Sequence, residues 1–310
     1  MQKRLHKSRA SFSLLIGLFL VACAPLVSCS QTAVQAPGAP ASLTFTTIDY
    51  PGSTETILFK INGSGEIVGG YFDGPDVEHG LLLQAGSFTT FDDPNGVGQT
   101  QAEGINDAGA ATGTYYDSGT GLEPGFLRQP NGSMIDIVPP ASNGYTEANG
   151  INNSGTIVGR YTTDAGFQGF EFSNGNYTTI DVPGAAATSI FGGNDNGQIV
   201  GDYTDASGVI HGFLLSGGNF TTIDFPGATS TNCQDINDGG KIVGSTVIDD
   251  VRHGYLYSSG NFTIIDEPNA SQAASGAPLS GTDVHGINAN GVIVGSYTDT
   301  SGVIHGFEAR

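Results

Sequence analysis

Four histidines recur at one position of a repeated pattern: His79, His211, His253 and His305. Imidazole is the commonest metal ligand and proton carrier near neutral pH, so these residues are tested first for chemistry. Equivalent residues of separate repeat copies end up far apart, and two copies carry Pro124 and Gln168 instead. No His-x-x-x-His or Cys-x-x-Cys spacing that would hold zinc occurs. The pattern therefore predicts histidines that tie strands together by hydrogen bonds. Aspartates recur in two further classes. Asp49, Asp92, Asp181, Asp224 and Asp266 stand just before a repeated proline, and Asp73, Asp117, Asp164, Asp205, Asp249 and Asp299 fall in acidic loops. If both loop classes emerge together, they make a cation-collecting face, the one place where the sequence leaves room for calcium. The Asn-x-x-Gly turns lack the alternating acids and distal Glu of a calcium loop, and turn chemistry explains them.

A second set of candidates comes from departures from the repeat, because folding demands sameness and ligand binding does not. Three residues before the turn Asn, the six copies read Phe59, Glu103, Asn149, Phe191, Gln234 and His285. Two before it the residue is Gly, except for Lys60 and Asp235. Lys60, Glu103, Asn149, Gln234, Asp235 and His285 are the predicted ligand-binding residues of a central channel, where varied polar groups converge. No catalytic residue is singled out. There is no Gly-x-Ser-x-Gly elbow and no phosphate loop, and the absence of Trp excludes sialidase-type Asp boxes. Cys233 shares a column with Leu58, Ala102, Ala148, Ile190 and Val284, which predicts a buried small hydrophobe.

The elements that position these residues follow from the repeat. Pro51, Pro94, Pro140, Pro183, Pro226 and Pro268 are spaced by 43, 46, 43, 43 and 42 residues. Each module holds short runs rich in Thr, Ile, Val, Phe and Tyr with turn residues between them, which predicts four strands per module. Four-stranded units at this period are propeller blades. The last module stops at His305-Gly306-Phe307-Glu308-Ala309-Arg310 without the Phe-Thr-Thr-Ile-Asp strand that closes other modules, while an orphan copy opens the repeat region at Phe45–Asp49. The expectation is an all-β, six-bladed β-propeller of four-stranded blades over 43–310, closed by residues 43–50 joining the last blade. From axis to rim, the Gly-Ile-Asn strand is expected innermost, then Ile-Val-Gly-x-Tyr, then His-Gly-Phe, then Phe-Thr-Thr-Ile-Asp. One crossing is long: Pro268 to Asn288 takes 20 residues where other modules take 11 or 12. The extra stretch, Ala270 to Thr282, is expected to project as a surface loop.

The run Gly-Ile-Asn-x-x-Gly-x-Ile-Val-Gly-x-Tyr followed by His-Gly-Phe resembles the bacterial extracellular HAF-repeat family over 43–310. The sequence departs from that pattern at Pro124, Gln168 and Gly193, and in having Gly rather than Ala after the His. The resemblance implies location and architecture, and no reaction.

The N-terminus reads as an export signal over 1–22. Lys3 to Arg9 precede an apolar run, Phe12 to Val21, that is too short for a stable membrane span. Leu20-Val21-Ala22-Cys23 is similar to a bacterial lipobox, with Cys23 as lipid acceptor and Cys29 as the alternative. Residues 23–42 read as a flexible tether. Beyond residue 29 only six Lys or Arg face 30 Asp or Glu, a net of −24, which argues against nucleic acid and against a membrane contact other than through an N-terminal lipid. Two functions remain open. One is a monomeric binding or scaffold module at the outer membrane, in the periplasm or outside the cell, taking a protein, glycan or cationic ligand. The other is an envelope enzyme, a glycan hydrolase or lyase, using the central channel.

Overall fold

The computed structural model describes residues 43–74, 77–96, 98–272 and 280–310. The expected export signal, the tether, Cys23 and Cys29 lie outside the described residues.

The described chain is all β-strand and turn. It opens with β1 (Phe45–Ile48). Four antiparallel sheets of four strands follow, each in chain order: β2 (Glu55–Ile61), β3 (Ile67–Gly74), β4 (Val77–Gln84) and β5 (Ser87–Phe91); then β6 (Thr100–Ile105), β7 (Ala111–Tyr115), β8 (Gly125–Arg128) and β9 (Met134–Ile137); then β10 (Thr146–Ile151), β11 (Ile157–Thr163), β12 (Gly166–Ser173) and β13 (Asn176–Ile180); then β14 (Ala187–Gly193), β15 (Ile199–Thr204), β16 (Ile210–Ser216) and β17 (Asn219–Ile223). The remaining strands are β18 (Ser230–Ile236), β19 (Ile242–Ile248), β20 (Val251–Ser258), β21 (Asn261–Ile265), β22 (Gly281–Ile287), β23 (Ile293–Thr298) and β24 (Ile304–Ala309). With β1 they form one eight-stranded sheet, in which a single parallel bridge, Arg252 to Gly281, joins two antiparallel sets.

The strand order within each set is the one the repeat predicts, and the first strands of successive sets lie against one another: β2 on β6, β6 on β10, and onward to β22, which lies on β2. β1 pairs antiparallel with β24, Phe45 opposite Ala309 and Ile48 opposite Gly306, across the two ends of the chain. The core lies between facing sets. Leu58, Ile61 and Leu81 pack with Val294 from the far end of the chain, and Cys233 packs with Val200, Ile223 and Tyr255.

Two features of the motif have a steric cause. In Ile-Val-Gly, a Cβ on Gly159 would sit 1.9 Å from the Glu147 carbonyl oxygen and 2.8 Å from the Phe170 ring. The same crowding, near 2 Å, recurs at Gly69, Gly113, Gly201, Gly244 and Gly295, so only glycine lets the second strand pass the first here. In His-Gly-Phe, a Cβ on Gly212 would lie 2.7 Å from the Cys233 sulfur of the next set. Cys233 is fully buried, as its column predicts, and burial pushes its thiol up to about 12.

The long crossing departs from expectation at both ends. Ala270 is buried in a core cluster with Val284 and Phe307, and the Ser271 amide donates to the Thr298 carbonyl at 2.7 Å. Ser280 is buried, and Gly281 and Thr282 belong to β22. Burial of small side chains against the neighbouring strands holds these ends in the fold, so neither belongs to a surface loop. Residues 273–279 lie outside the described residues.

Candidate functional site

Each first strand carries a β-bulge, and the bulged residue is the variable one that the sequence singles out. The register with the second strand skips Phe59, Glu103, Phe191, Gln234 and His285, and it shifts between Glu147 and Gly150 around Asn149. A bulged residue leaves the pleat and re-aims its side chain. That explains the variation of this column while its neighbours stay fixed.

Four of the six predicted residues meet at one ammonium group. Lys60 Nζ donates to the Gln234 carbonyl at 2.5 Å and to the His285 carbonyl at 3.0 Å, and pairs with Asp235 Oδ1 at 3.3 Å. Asp235 Oδ2 accepts from the Ile287 amide at 3.0 Å. Burial pushes Lys60 below and Asp235 above its ordinary value, so desolvation outweighs their mutual attraction. Glu103 favours the Lys60 charge electrostatically. Asn149 stands apart and donates its amide to the Ile190 carbonyl on β14 at 2.7 Å. Glycine elsewhere in the Lys60 column has a reason: a Cβ on Gly192 would lie 2.8 Å from Asp235 Oδ1.

Two further ion pairs, missed from sequence, involve the first strands β10 and β22. Arg160 Nε donates to Glu147 Oε2 at 2.5 Å, and its guanidinium lies over the rings of Phe167 (4.7 Å) and Phe191 (5.5 Å). Burial opposes the Arg160 charge, but Glu147, Tyr145 and Asp202 outweigh it and hold the group above its ordinary value. Arg252 pairs with Asp283, which also accepts from Ser245 Oγ at 2.5 Å. Burial works to raise Asp283, yet Arg252, His285 and Ser245 bring it below the usual carboxylate range. Burial raises Asp202 to about 6 despite Arg160 and a hydrogen bond from Ser189. A signal for this cluster was in the sequence: three of the six cations beyond residue 29 are Lys60, Arg160 and Arg252.

Beside the Lys60 pair lies a hollow of about 110 Å³ lined by the Asn turns. Each Asn caps its own turn, as Asn62 Oδ1 does by accepting from the amides of Ser64 (3.1 Å) and Glu66 (2.9 Å). Each also donates Nδ2 to the carbonyl of the next turn Asn: Asn62 to Asn106, then to Asn152, Asn194, Asn237 and Asn288, and from Asn288 back to Asn62, at 3.0–3.3 Å.

The histidine reading has a definite geometry. His79, His211, His253 and His305 each bring Nδ1 to 2.9 Å from a crossing carboxylate: Asp92, Asp224, Asp266 and Asp49. Nε2 of His79, His211 and His305 faces a loop carboxylate, Asp73, Asp205 or Asp299, at 3.4–3.5 Å. Tyr71, Tyr203 and Tyr297 stack on the same three rings at 5.1–5.2 Å. Both aspartate classes therefore meet on one face. Among the described residues, no three His, Cys, Asp or Glu side chains are placed to hold a metal ion together.

No family model and no curated protein matches this chain. Solved structures do. TolB from Acinetobacter baumannii aligns with TM-score 0.54 and 10% identity over 82% of this chain and 63% of its own. Virginiamycin B lyase from Staphylococcus aureus gives 0.50 and 11%, over 87% and 100%. Aleuria aurantia lectin, solved with α-methyl-L-fucoside, gives 0.50 and 12%, over 85% and 93%. The fold is a β-propeller. At these identities the likeness reaches no further than fold.

Proposed function

We propose that this chain is an exported binding or scaffold module of the bacterial envelope or cell exterior, built as a closed six-bladed propeller whose loop face takes cationic ligands. The observation that carries this reading is the division of charge. Lys60, Arg160 and Arg252 each face a carboxylate of their own at ion-pair distance, so each of these cations is neutralised by its partner. The repeated aspartates of the loop face outnumber the cations near them, giving the surface a negative field that draws in cations. Support for six closed blades comes from the asparagine cycle and from the β1–β24 pairing. Export, membership of the HAF-repeat family and lipidation at Cys23 (or Cys29) belong to the same proposal, and mass spectrometry of the mature N-terminus tests the lipid.

The binding test compares the two faces. Asp117, Asp164 and Asp249 changed together to Asn should weaken retention of poly-lysine, most at low salt. The matched change of Asp107, Asp195 and Asp238 on the Asn-turn face should leave it intact, since Asn153 already serves in that series. Equal loss from both sets would defeat the reading.

A second reading, an envelope enzyme acting on glycans through the channel, has Asp202 in its favour: a half-buried carboxyl near 6 beside Arg160 is suited to proton transfer. Turnover of an envelope glycan that is abolished by Asp202→Asn would establish it. No product from any glycan of a broad panel would retire it.

A further inference from the structure

In three modules an imidazole lies between the carboxylate of the crossing and the carboxylate of the loop. His211 sits between Asp224, which follows β17, and Asp205, on the turn from β15 to β16, with Tyr203 of β15 stacked on its ring. His305 sits likewise between Asp49, after β1, and Asp299, on the turn from β23 to β24, against Tyr297 of β23. Glu267 of the preceding crossing acts on that tyrosine. His79 repeats the arrangement with Asp92, Asp73 and Tyr71. His253 has Asp266 at hydrogen-bond distance and feels Asp249 from the turn before β20. Carboxylates only accept hydrogen bonds, whereas a neutral imidazole has one N–H to give and the imidazolium has two. With an acceptor at each nitrogen, the proton decides whether one tether is made or two.

We propose that His211 and His305 are proton-operated clamps: with the ring doubly protonated the crossing and the loop are pinned together, and as the ring loses its second proton the hairpins 205–209 and 299–303 are released. The loop carboxylates are built for it. Asp205 Oδ1 accepts from the amides of Ser207 (2.8 Å) and Val209 (2.9 Å), leaving Oδ2 for His211. Asp299 Oδ1 accepts from Ser301 and Val303 in the same way, and Oδ2 faces His305. Hydrogen bonds from the Ser207 and Ser301 side chains, then from the Val209 and Val303 amides, hold both carboxyls at about 2, so the acid side of the clamp stays charged. On the imidazole side, burial opposes the charge, but the facing carboxylates outweigh it and raise His211 and His305. A raised folded value means that the stabilisation is complete below the unfolded value of about 6.5 and is lost as the pH climbs through the folded one.

The molecule carries its own control. Modules with Pro124 and Gln168 have no imidazole, and Tyr161 donates instead to Gln168 Oε1 at 2.9 Å. The test uses the whole chain and two NMR measurements. The His211 and His305 rings should titrate above 6.5. Exchange of the Asp205, Val209, Asp299 and Val303 amides, corrected for intrinsic rates, should accelerate between pH 5.5 and 8. The opening constant should rise about tenfold for each unit by which the ring exceeds 6.5. The Asp117 amide, bonded to the Leu122 carbonyl in the Pro124 module, should show no such rise. His211→Gln with His305→Gln, copying a residue the fold already uses, should flatten the response. Ring midpoints at or below 6.5, or an Asp117 amide that responds like the others, would overturn the proposal even if that variant failed to fold.

Discussion

At the scale of single residues, four of the positions that break the repeat, Lys60, Gln234, Asp235 and His285, meet at the Lys60 ammonium. Lys60 is nearly enclosed and supplies the hydrogen-bond donor for two carbonyls on two other strands. Its desolvation is opposed chiefly by the Asp235 charge beside it, with Glu103 adding to that attraction. Lys60→Met should therefore cost about 3–5 kcal/mol in urea unfolding, because it strands a buried carboxylate and two acceptors. Adding Asp235→Leu should return much of that loss, since a buried pair replaced by apolar groups of similar volume is close to neutral. A Lys60→Met protein as stable as the parent would show that this pair does not hold the axis.

At the scale of the strand pair, the bulge and the glycine opposite it act as one device. The bulge brings the first-strand carbonyl over the second strand, and the glycine provides the gap it enters. Gly159→Ala should destabilise by at least about 1–3 kcal/mol, because the blocking atom is backbone and cannot swing away. Gly155, four residues earlier, has φ +81° and open space where a Cβ would go. Gly155→Asn should cost less, since Asn tolerates that backbone region. Thermal melts of the two variants separate crowding from backbone preference, and equal losses would contradict the steric account. The bulge was invisible in the repeat columns. An extra residue present in every copy leaves the spacing unchanged, so only its variability showed.

At the scale of the molecule, the two ends of the described chain meet twice. At the rim, β1 pairs with β24, and the Thr44 amide donates to the Arg310 carbonyl at 2.8 Å while the Arg310 amide returns the bond at 3.1 Å. At the axis, Asn288 donates to Asn62, and Lys60 of β2 reaches β18 and β22. Removing residues 43–48 should bare the β24 edge, and with it the hydrogen-bonding groups that a strand edge offers to other chains. The expected result is aggregation or a clearly lower melting temperature in light scattering and calorimetry. A soluble truncation melting like the parent would leave the six-bladed closed reading without its rim.

The sequence by itself determined the strands, their order within each set, the asparagine turns and the burial of Cys233. These follow from local rules: β-branched runs, residues that admit positive φ, and a column that is apolar in every copy. It also marked Lys60, Glu103, Asn149, Gln234, Asp235 and His285 as unusual, since departures from a repeat are visible in one chain. Which of them touch was decided only by tertiary structure. Lys60 and Asp235 are 175 positions apart in the chain, and contact of the first strands β2 and β18 with β22 brings their side chains to 3.3 Å. Tertiary structure also set Asn149 on a separate bond and paired Arg160 with Glu147 and Arg252 with Asp283, because a charge enclosed by neighbouring strands needs a carboxylate those strands provide. Period and pattern act along the chain, whereas charge pairing acts through space, and the second cannot be read from the first.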